Sequence, residues 1–348
     1  MQSSNESRLS RASISLEGLS VGDAFGEKFF IHPDMAATFI DLRATPGGNW
    51  SFTDDTQMAL SIVSILRQYQ KINQDELAKS FADRYEMQRG YGAAMHDLLA
   101  DIRNGDNWQE LSTNLFAGQG SYGNGAAMRV APLGAYFADD FDLLVSEARK
   151  SAEITHAHPE AIAGAIAVAV AAGMAAKLSG SSSLPTRREF LDEILRYIPV
   201  TEVKSKIFRA RDILETTPGI VVAAMLGNGS KVSAQDTVPF TLWCAAKHLN
   251  NYTEAIWETV RVLGDRDTNC AIVGGIVALS AGVESIPTHW LQARETLPQW
   301  LFRITLPIVY IRTKTWENSS QPPPTSLRVT LRFPLRTSAF KSQTPSRF

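Results

Sequence analysis

Two short acidic segments carry the side chains best suited to chemistry in this sequence. The first, Thr53-Asp54-Asp55-Thr56, follows the glycine-bearing loop 47–52 and leads into an apolar run. Threonine at a helix start, with acids in the first turn, is also a normal helix cap. Capping accounts for Thr53 and one aspartate, but two adjacent carboxylates repel each other unless a cation lies beside them. The segment therefore indicates either a capped helix or a cation site.

The second acidic segment, Asp265-Arg266-Asp267-Thr268, also precedes a run of small and apolar residues. Two aspartates two positions apart at a helix start can point to the same side. If the two helix starts meet in space, their aspartates bring together four negative charges, which two divalent cations would balance. Oxygen ligands without a neighbouring Cys or His favour Mg²⁺, Mn²⁺ or Ca²⁺ over zinc. Spacing alone leaves open that each segment is a capped helix and nothing more.

Two further segments between the acidic ones carry polar groups. Residues 118–129 form a glycine-rich loop whose backbone N–H groups, hydroxyl and amide could hold a phosphate, although an ordinary turn is the commoner reason for such a loop. Within it, Tyr122 either stacks on a base or sugar or is buried. His156 and His158 suggest zinc, but no third ligand accompanies them. We expect His156 to make a polar contact to substrate instead.

Apolar residues at helical spacing recur along the chain, whereas strand signals are scarce. The joining loops are short and bear Gly, Pro or Asn, so we predict an all-α bundle. The segment 161–176 is the most membrane-like, but it is short and rich in Ala and Gly, and we expect a buried helix there. The other clear helices are predicted over residues 56–67, 76–85, 93–102, 141–153, 188–197, 203–215, 253–263 and 269–281.

The composition is that of an ordinary globular protein. The chain has 348 residues, 44% of them hydrophobic and 20% charged, with a formal net charge of −2. This charge gives no footprint for nucleic acid or an anionic membrane, so neither is an expected partner. Because Cys244 and Cys270 are the only cysteines and the N-terminus lacks an apolar signal core, we expect a reducing, cytoplasmic location.

The domain organisation is predicted from changes in composition and hydrophobic periodicity along the chain. We predict a flexible N-terminus over residues 1–13 and a single domain over 14–300, since no long linker divides it. The segment 301–348 is rich in basic residues and proline and has no sustained period, so we predict an irregular, disordered basic tail. Two alternatives are a basic arm for RNA or lipid, and a segment foreign to the fold, as after a reading-frame change.

Five motifs in this order make the chain resemble the ADP-ribosylglycohydrolase family, which includes dinitrogenase reductase-activating glycohydrolase. They are GDAFG at 22–26, TDDT at 53–56, GSYGNGAAMR at 120–129, THAHPEA at 155–161 and GDRDT at 264–268. Each motif alone is modest, but their order makes the match specific, and it spans residues 15–295. The resemblance implies a compact orthogonal all-α bundle that hydrolyses the bond between the distal ribose of ADP-ribose and a protein side chain or another acceptor.

The resemblance also implies which residues form the site. A cleft would hold two Mg²⁺ ions, with Mn²⁺ as a substitute, on ligands from both acidic segments: Thr53, Asp54, Asp55, Asp265, Asp267 and Thr268. The diphosphate and distal ribose would lie on the glycine-rich loop, with His156 beside them, and the loop residues are Gly120, Ser121, Tyr122, Gly123, Asn124 and Gly125. The expected partner is an ADP-ribosylated protein or small-molecule substrate.

The chemistry suits these residues. Cleavage of a ribosyl bond builds oxocarbenium character at the anomeric carbon. Metals can fix the ribose hydroxyls and orient a water molecule, while a nearby carboxylate accepts its proton. We expect Asp54 or Asp55 to be that catalytic carboxylate.

Three positions depart from the family's pattern. Phe30 stands where many members have a glutamate, and Glu27 is the only acid close to it. Leu263 replaces the first of two usual glycines, and Arg266 replaces a small or hydroxylic residue. The Phe30 departure motivates one alternative, a weakly active or non-catalytic module that binds ADP-ribose or an ADP-ribosylating toxin. A second alternative is a Mg²⁺-dependent phosphohydrolase that acts on a nucleotide diphosphate.

Overall fold

The computed structural model describes residues 4–298 and Trp300. Over this range it contains seventeen α-helices and two 3₁₀ turns. Extended pairing in the same range is limited to two isolated bridges, Trp50 with Arg294 and Gly123 with Ser233. The all-α prediction is confirmed. The tail predicted over residues 301–348 lies outside the described residues.

The helices follow one another through short loops. The two 3₁₀ turns are Met87–Arg89 and Val283–Ser285. The α-helices in chain order are α1 (Asn5–Glu27), α2 (Pro33–Asp41), α3 (Asp54–Tyr69), α4 (Gln74–Asp83), α5 (Ala93–Asn104), α6 (Trp108–Gly118), α7 (Gly125–Met128), α8 (Ala131–Tyr136), α9 (Phe141–Glu153), α10 (Pro159–Lys177), α11 (Arg187–Leu195), α12 (Glu202–Asp212), α13 (Gly219–Leu226), α14 (Ala234–Lys247), α15 (Tyr252–Val260), α16 (Arg266–Ala281) and α17 (Thr288–Ala293).

Residues 5–13, predicted as part of a flexible N-terminus, form the first turns of α1. The Ser4 hydroxyl caps the helix by accepting a hydrogen bond from the N–H of Ser7. Arg11 then ties these turns to the end of α8, because its Nε donates to the carbonyl oxygen of Ala135 at 2.9 Å and its guanidinium pairs with Asp139 at 2.6 Å. The composition of residues 5–13 alone does not reveal this contact, because its partners lie far along the chain.

Helices α1 and α16 pack closely along their lengths. A Cβ atom at Gly18 would lie 2.3 Å from the carbonyl oxygen of Gly274, and one at Gly22 would lie 2.1 Å from that of Cys270. Near the end of α1, a Cβ at Gly26 would lie 2.3 Å from the carbonyl oxygen of Arg266. The close packing therefore places the start of α16, with the second acidic segment, beside the end of α1.

Helix α10 passes through the middle of the fold. By length and composition it is the one helix among the described residues that could cross a membrane, although a core helix passes the same test. Every residue from 161 to 173 is buried within the protein. The burial agrees with the buried helix predicted over residues 161–176.

Candidate active site

Asp23, buried in α1, fixes the start of α3. Its carboxylate accepts hydrogen bonds from the N–H and the hydroxyl of Thr53, at 3.0 and 2.9 Å. It also accepts from the N–H and the hydroxyl of Thr56, at 3.1 and 2.5 Å. Burial raises the pKa of Asp23 to about 6 against the opposing effect of these bonds. The sequence predicts no separate role for Asp23, because its hydrogen-bond partners Thr53 and Thr56 lie much further along the chain.

The two acidic segments meet in one cleft of about 790 Å³. The acidic-segment residues that line it are Asp54, Asp55, Asp265, Asp267 and Thr268. Burial and the neighbouring acids raise the pKa of Asp54 to about 8, and they raise the pKa values of Asp55 and Asp267 well above the usual range. Arg129 lowers the pKa of Asp54 and Arg266 lowers that of Asp265, but in the described part of the chain these two charges do not offset the raising effects.

Thr53 lies behind the wall of this cleft. Its buried hydroxyl bonds to Asp23 at 2.9 Å and to Asp55 at 3.1 Å, and it accepts from the N–H of Asp55 as the cap of α3. The predicted cap is therefore present. Of the two threonines predicted as metal ligands, Thr268 faces the cleft, whereas Thr53 is occupied in holding the acidic helix start in place.

The donor set fits a hard divalent cation. Carboxylate and hydroxyl oxygens are the ligands that Mg²⁺ prefers, and one oxygen each of Asp55 and Asp267 is buried without a hydrogen-bond partner within the described range. No three His, Cys, Asp or Glu side chains in that range are grouped closely enough to hold a metal by themselves. Hydroxyl groups and retained waters would complete the ligand set, as is usual for Mg²⁺.

The glycine-rich loop lines the same cleft and is joined to the acidic cluster. Asn124 donates from Nδ2 to Asp265 at 2.6 Å and to the hydroxyl of Thr237 at 3.0 Å. Ser121, Tyr122, Gly123, Asn124 and Gly125 line the cleft, whereas Gly120 backs onto residues 157 and 158 with a φ of +73°. The Asn124 bond fixes the distance between the loop and the acids.

Two aromatic rings stand beside the loop. Tyr122 is 46% exposed and Phe116 is 55% exposed, and their ring centroids lie 6.3 Å apart. Both side chains line the cleft. Of the two alternatives for Tyr122, burial is therefore wrong, and its ring is open for stacking.

His156 lies beneath the glycine-rich loop and is neutral. Burial, with the charge of Arg129, lowers the pKa of His156 to about 3. Arg129 donates to the hydroxyl of Thr155 at 3.0 Å, and that hydroxyl lies 2.7 Å from Nδ1 of His156. The network therefore places Nδ1 against the Thr155 hydroxyl and leaves Nε2 directed at the glycine-rich loop. His158 instead caps α10, which separates the two histidines that suggested zinc.

Replacement of Gly125 by alanine is expected to weaken ADP-ribose binding about tenfold or more. The added methyl group would lie 2.7 Å from Cε1 and 2.9 Å from Nε2 of His156, so the loop or the ring must move. Gly47→Ala is the matched control, because nothing lies within 4 Å of a Cβ there. Calorimetric titration with ADP-ribose compares the two variants, and equal affinities for both would show that the loop does not bind the ligand.

The three departures from the family pattern are visible in the structure. Phe30 lines the cleft, and the guanidinium carbon of Arg266 lies 4.7 Å from the centroid of its ring. Glu27 also lines the cleft, and burial beside Asp23 raises its pKa. Leu263 adopts a left-handed φ of 59°, a conformation that glycine adopts without strain.

Comparisons with known proteins cover most of the chain. The sequence profile of the ADP-ribosylglycohydrolase family matches residues 4–318. The chain is 28% identical over 334 residues to ADP-ribosylhydrolase ARH3 of Homo sapiens, covering 82% of this chain and 90% of that protein. It is 30% identical over 291 residues to an uncharacterized protein of Archaeoglobus fulgidus, covering 80% of this chain and 85% of that protein.

Two more distant relatives agree with this match. The chain is 25% identical over 296 residues to the ADP-ribosyl-[dinitrogen reductase] glycohydrolase of Rhodospirillum rubrum, covering 79% and 86% of the two chains. Its fold is similar to that of a chain in a solved ADP-ribosylglycohydrolase-related protein complex, with a TM-score of 0.54, 24% identity, and coverage of 83% and 94%. The ordered motifs, the fold and the family match together show that this chain is a glycohydrolase enzyme and belongs to the ADP-ribosylglycohydrolase family.

Proposed function

We propose that this chain is a Mg²⁺-dependent hydrolase that releases ADP-ribose from a modified protein side chain or small-molecule acceptor. The bond cleaved is the one at the anomeric carbon of the distal ribose. The observation that supports this best is the meeting of two acidic helix starts with a glycine-rich loop in one cleft, joined by the hydrogen bond between Asn124 and Asp265. An ADP-ribosyl substrate needs a site for its diphosphate and a charged site for its reacting ribose.

The acidic end of the cleft would hold the metal ions. Asp54, Asp55, Asp265 and Asp267, with the hydroxyl of Thr268, are the proposed ligands of two Mg²⁺ ions. Thr53, whose hydroxyl is bonded to Asp23 and Asp55, holds the helix start that carries two of these ligands. When bound, such ions supply positive charge that fixes ribose hydroxyls and lowers the pKa of a water molecule. The chain supplies the alignment, because Asp23 holds the start of α3 and Asn124 holds Asp265.

A carboxylate must accept the proton of the attacking water. Asp54 and Asp55 both face the cleft, and Asp55 keeps one buried oxygen without a hydrogen-bond partner among the described residues. We propose that one of these two aspartates is the general base of the reaction.

The loop end of the cleft would hold the diphosphate and distal ribose. Ser121, Gly123 and Asn124 present a hydroxyl, backbone groups and an amide to the cleft. The neutral His156 ring directs Nε2 at this loop, where it is placed to hydrogen-bond to a hydroxyl of the ligand. The exposed ring of Tyr122 is available for stacking on a base or sugar.

Replacement of Lys231 by glutamine is expected to weaken ADP-ribose binding about fivefold. Lys231 is the one Lys or Arg side chain among the described residues lining the cleft, and its loop pairs with the glycine-rich loop through the Gly123–Ser233 bridge. A cation at the rim attracts the diphosphate by about 1 kcal/mol, and salt screens that attraction. Titrations at two salt concentrations measure the effect, with adenosine as the uncharged control. An equal loss of affinity for adenosine would rule out the electrostatic role.

The identity of the reaction product tests the proposed function. Purified protein is incubated with Mg²⁺ and a panel of substrates ADP-ribosylated on arginine, on serine and on a nucleobase, and the products are separated by chromatography. Intact ADP-ribose is the expected product. Release of AMP or phosphate would show a phosphohydrolase, and tight ADP-ribose binding without any release would show a binding module.

The state of the two cysteines bears on the location of the protein, which we propose to be a reducing compartment. Both cysteines, Cys244 and Cys270, are buried and unpaired. Their state supports a cytoplasmic location, which we propose together with a partner set limited to ADP-ribosylated proteins or small molecules, without nucleic acid or membrane.

A further inference from the structure

Phe30 and Arg266, two of the positions that depart from the family pattern, contact each other at the acidic end of the cleft. The guanidinium carbon of Arg266 lies 4.7 Å from the centroid of the Phe30 ring, within the range of a cation–π contact. Phe30 is 48% exposed, and it lines the cleft together with Glu27, Asp54 and Asp267. We call this pair the Phe30–Arg266 platform.

The Arg266 guanidinium contacts the Phe30 ring and is also attracted by the charges of Asp267 and Asp265. Its Nε is buried without a hydrogen-bond partner, and its guanidinium forms no ion pair with any residue in the described part of the chain. The backbone of Arg266 is fixed against the end of α1, where a Cβ at Gly26 would meet its carbonyl oxygen. The cation is therefore held on one side of the ring rather than extended into solvent.

The platform lies where the acceptor, the leaving group of the reaction, would bind. This assignment rests on the proposed function. The glycine-rich loop would take the diphosphate, and the carboxylates of the two acidic segments would hold the reacting ribose. The acceptor is then the one part of the substrate that has no binding surface assigned to it. The exposed ring of Phe30 lines the cleft together with those carboxylates and is an apolar surface that an acceptor can contact there.

We propose that the Phe30–Arg266 platform is the acceptor subsite, and that it favours a planar, uncharged ring, such as a nucleobase or heteroaromatic metabolite, over a guanidinium. An exposed aromatic face stacks well on another flat ring. The cation behind the ring draws its electron density away from the cleft, so a second cation on the open face is disfavoured. A serine acceptor is small and uncharged and gains little from either effect. In this scheme Phe30 contacts the acceptor, and Arg266 is a positioning residue.

Acceptor preference in matched variants tests the platform. kcat/KM for ADP-ribose release is measured on an ADP-ribosylated thymine nucleoside, an ADP-ribosylserine peptide and ADP-ribosylagmatine. Comparison of ratios between variants cancels the intrinsic reactivity of each linkage. Phe30→Leu is expected to lower the thymine-to-serine ratio about tenfold, the size of one base–aromatic stacking contact. Phe30→Tyr keeps the ring and is expected to keep the wild-type ratio.

Arg266→Gln tests the charge behind the ring. It removes the cation but keeps a polar side chain of similar reach, and it is expected to raise the agmatine-to-serine ratio about tenfold, mainly through a lower KM for agmatine. Thermal unfolding of each variant shows that the fold is retained. Unchanged ratios in both Phe30→Leu and Arg266→Gln, in protein that still releases ADP-ribose, would overturn the platform. Release from none of the substrates by the wild-type protein would instead overturn the proposed function.

Discussion

Replacement of both Asp54 and Asp55 by asparagine is expected to lower kcat for ADP-ribose release by about 10³-fold or more. The change removes the proposed general base and two of the four carboxylates of the cation site, and each effect alone is large. The fold should survive, because asparagine keeps the size of aspartate and the change relieves repulsion within a buried acidic cluster. Single-turnover release of ADP-ribose measures the loss.

The control for this variant is Asp34→Asn. Asp34 lies in the first turn of α2, and its side chain is 94% exposed. Asp34→Asn therefore makes the same chemical change outside the cleft. Thermal unfolding in chelator should show the double variant to be at least as stable as the wild type. Undiminished release by the double variant would show that neither aspartate takes part in the reaction.

Replacement of Asp23 by asparagine is expected to lower the free energy of unfolding by about 3 kcal/mol. The buried carboxylate accepts from the N–H groups and hydroxyls of Thr53 and Thr56, and an amide cannot accept from all of these donors. Buried donors left without an acceptor carry the full cost of their desolvation. Urea denaturation measures the change, again with Asp34→Asn as the exposed control.

The same Asp23 variant should also bind Mg²⁺ more weakly, because the start of α3 is no longer held against α1. A change in stability below about 0.5 kcal/mol, the range of ordinary surface substitutions, would show that Asp23 does not anchor the acidic segment. Loss of stability with unchanged Mg²⁺ affinity would show that Asp23 stabilises the fold but does not position the metal ligands.

Several helices with a clear apolar face were predictable from the sequence. The segment 141–153 coincides with α9, and 93–102 lies within α5 (Ala93–Asn104). Three of the helices that were missed lack such a face. α14 carries Pro239 in its interior, α13 is apolar on most sides, and α7 has only four residues, so none shows a usable period.

The candidate site was predictable as far as its acidic and glycine-rich segments. The structure brings Asp54, Asp55, Asp265 and Asp267 into one cleft with the glycine-rich loop. The contacts that hold this arrangement could not be predicted from the spacing of residues in the sequence. Asp23 contacts Thr53, Asn124 contacts Asp265, and Phe30 contacts Arg266. The two residues of each pair are far apart in the chain, and the tertiary packing brings them together.

The most direct test of the Mg²⁺-dependent hydrolase is a metal titration of its reaction. Protein stripped with chelator is mixed with an ADP-ribosylated substrate that the wild type cleaves, and Mg²⁺ is then added back while free ADP-ribose is measured. The proposed site predicts no release in chelator and full recovery on addition of Mg²⁺, with no recovery in Asp54→Asn/Asp55→Asn. Release of ADP-ribose at an undiminished rate by metal-free protein would contradict it.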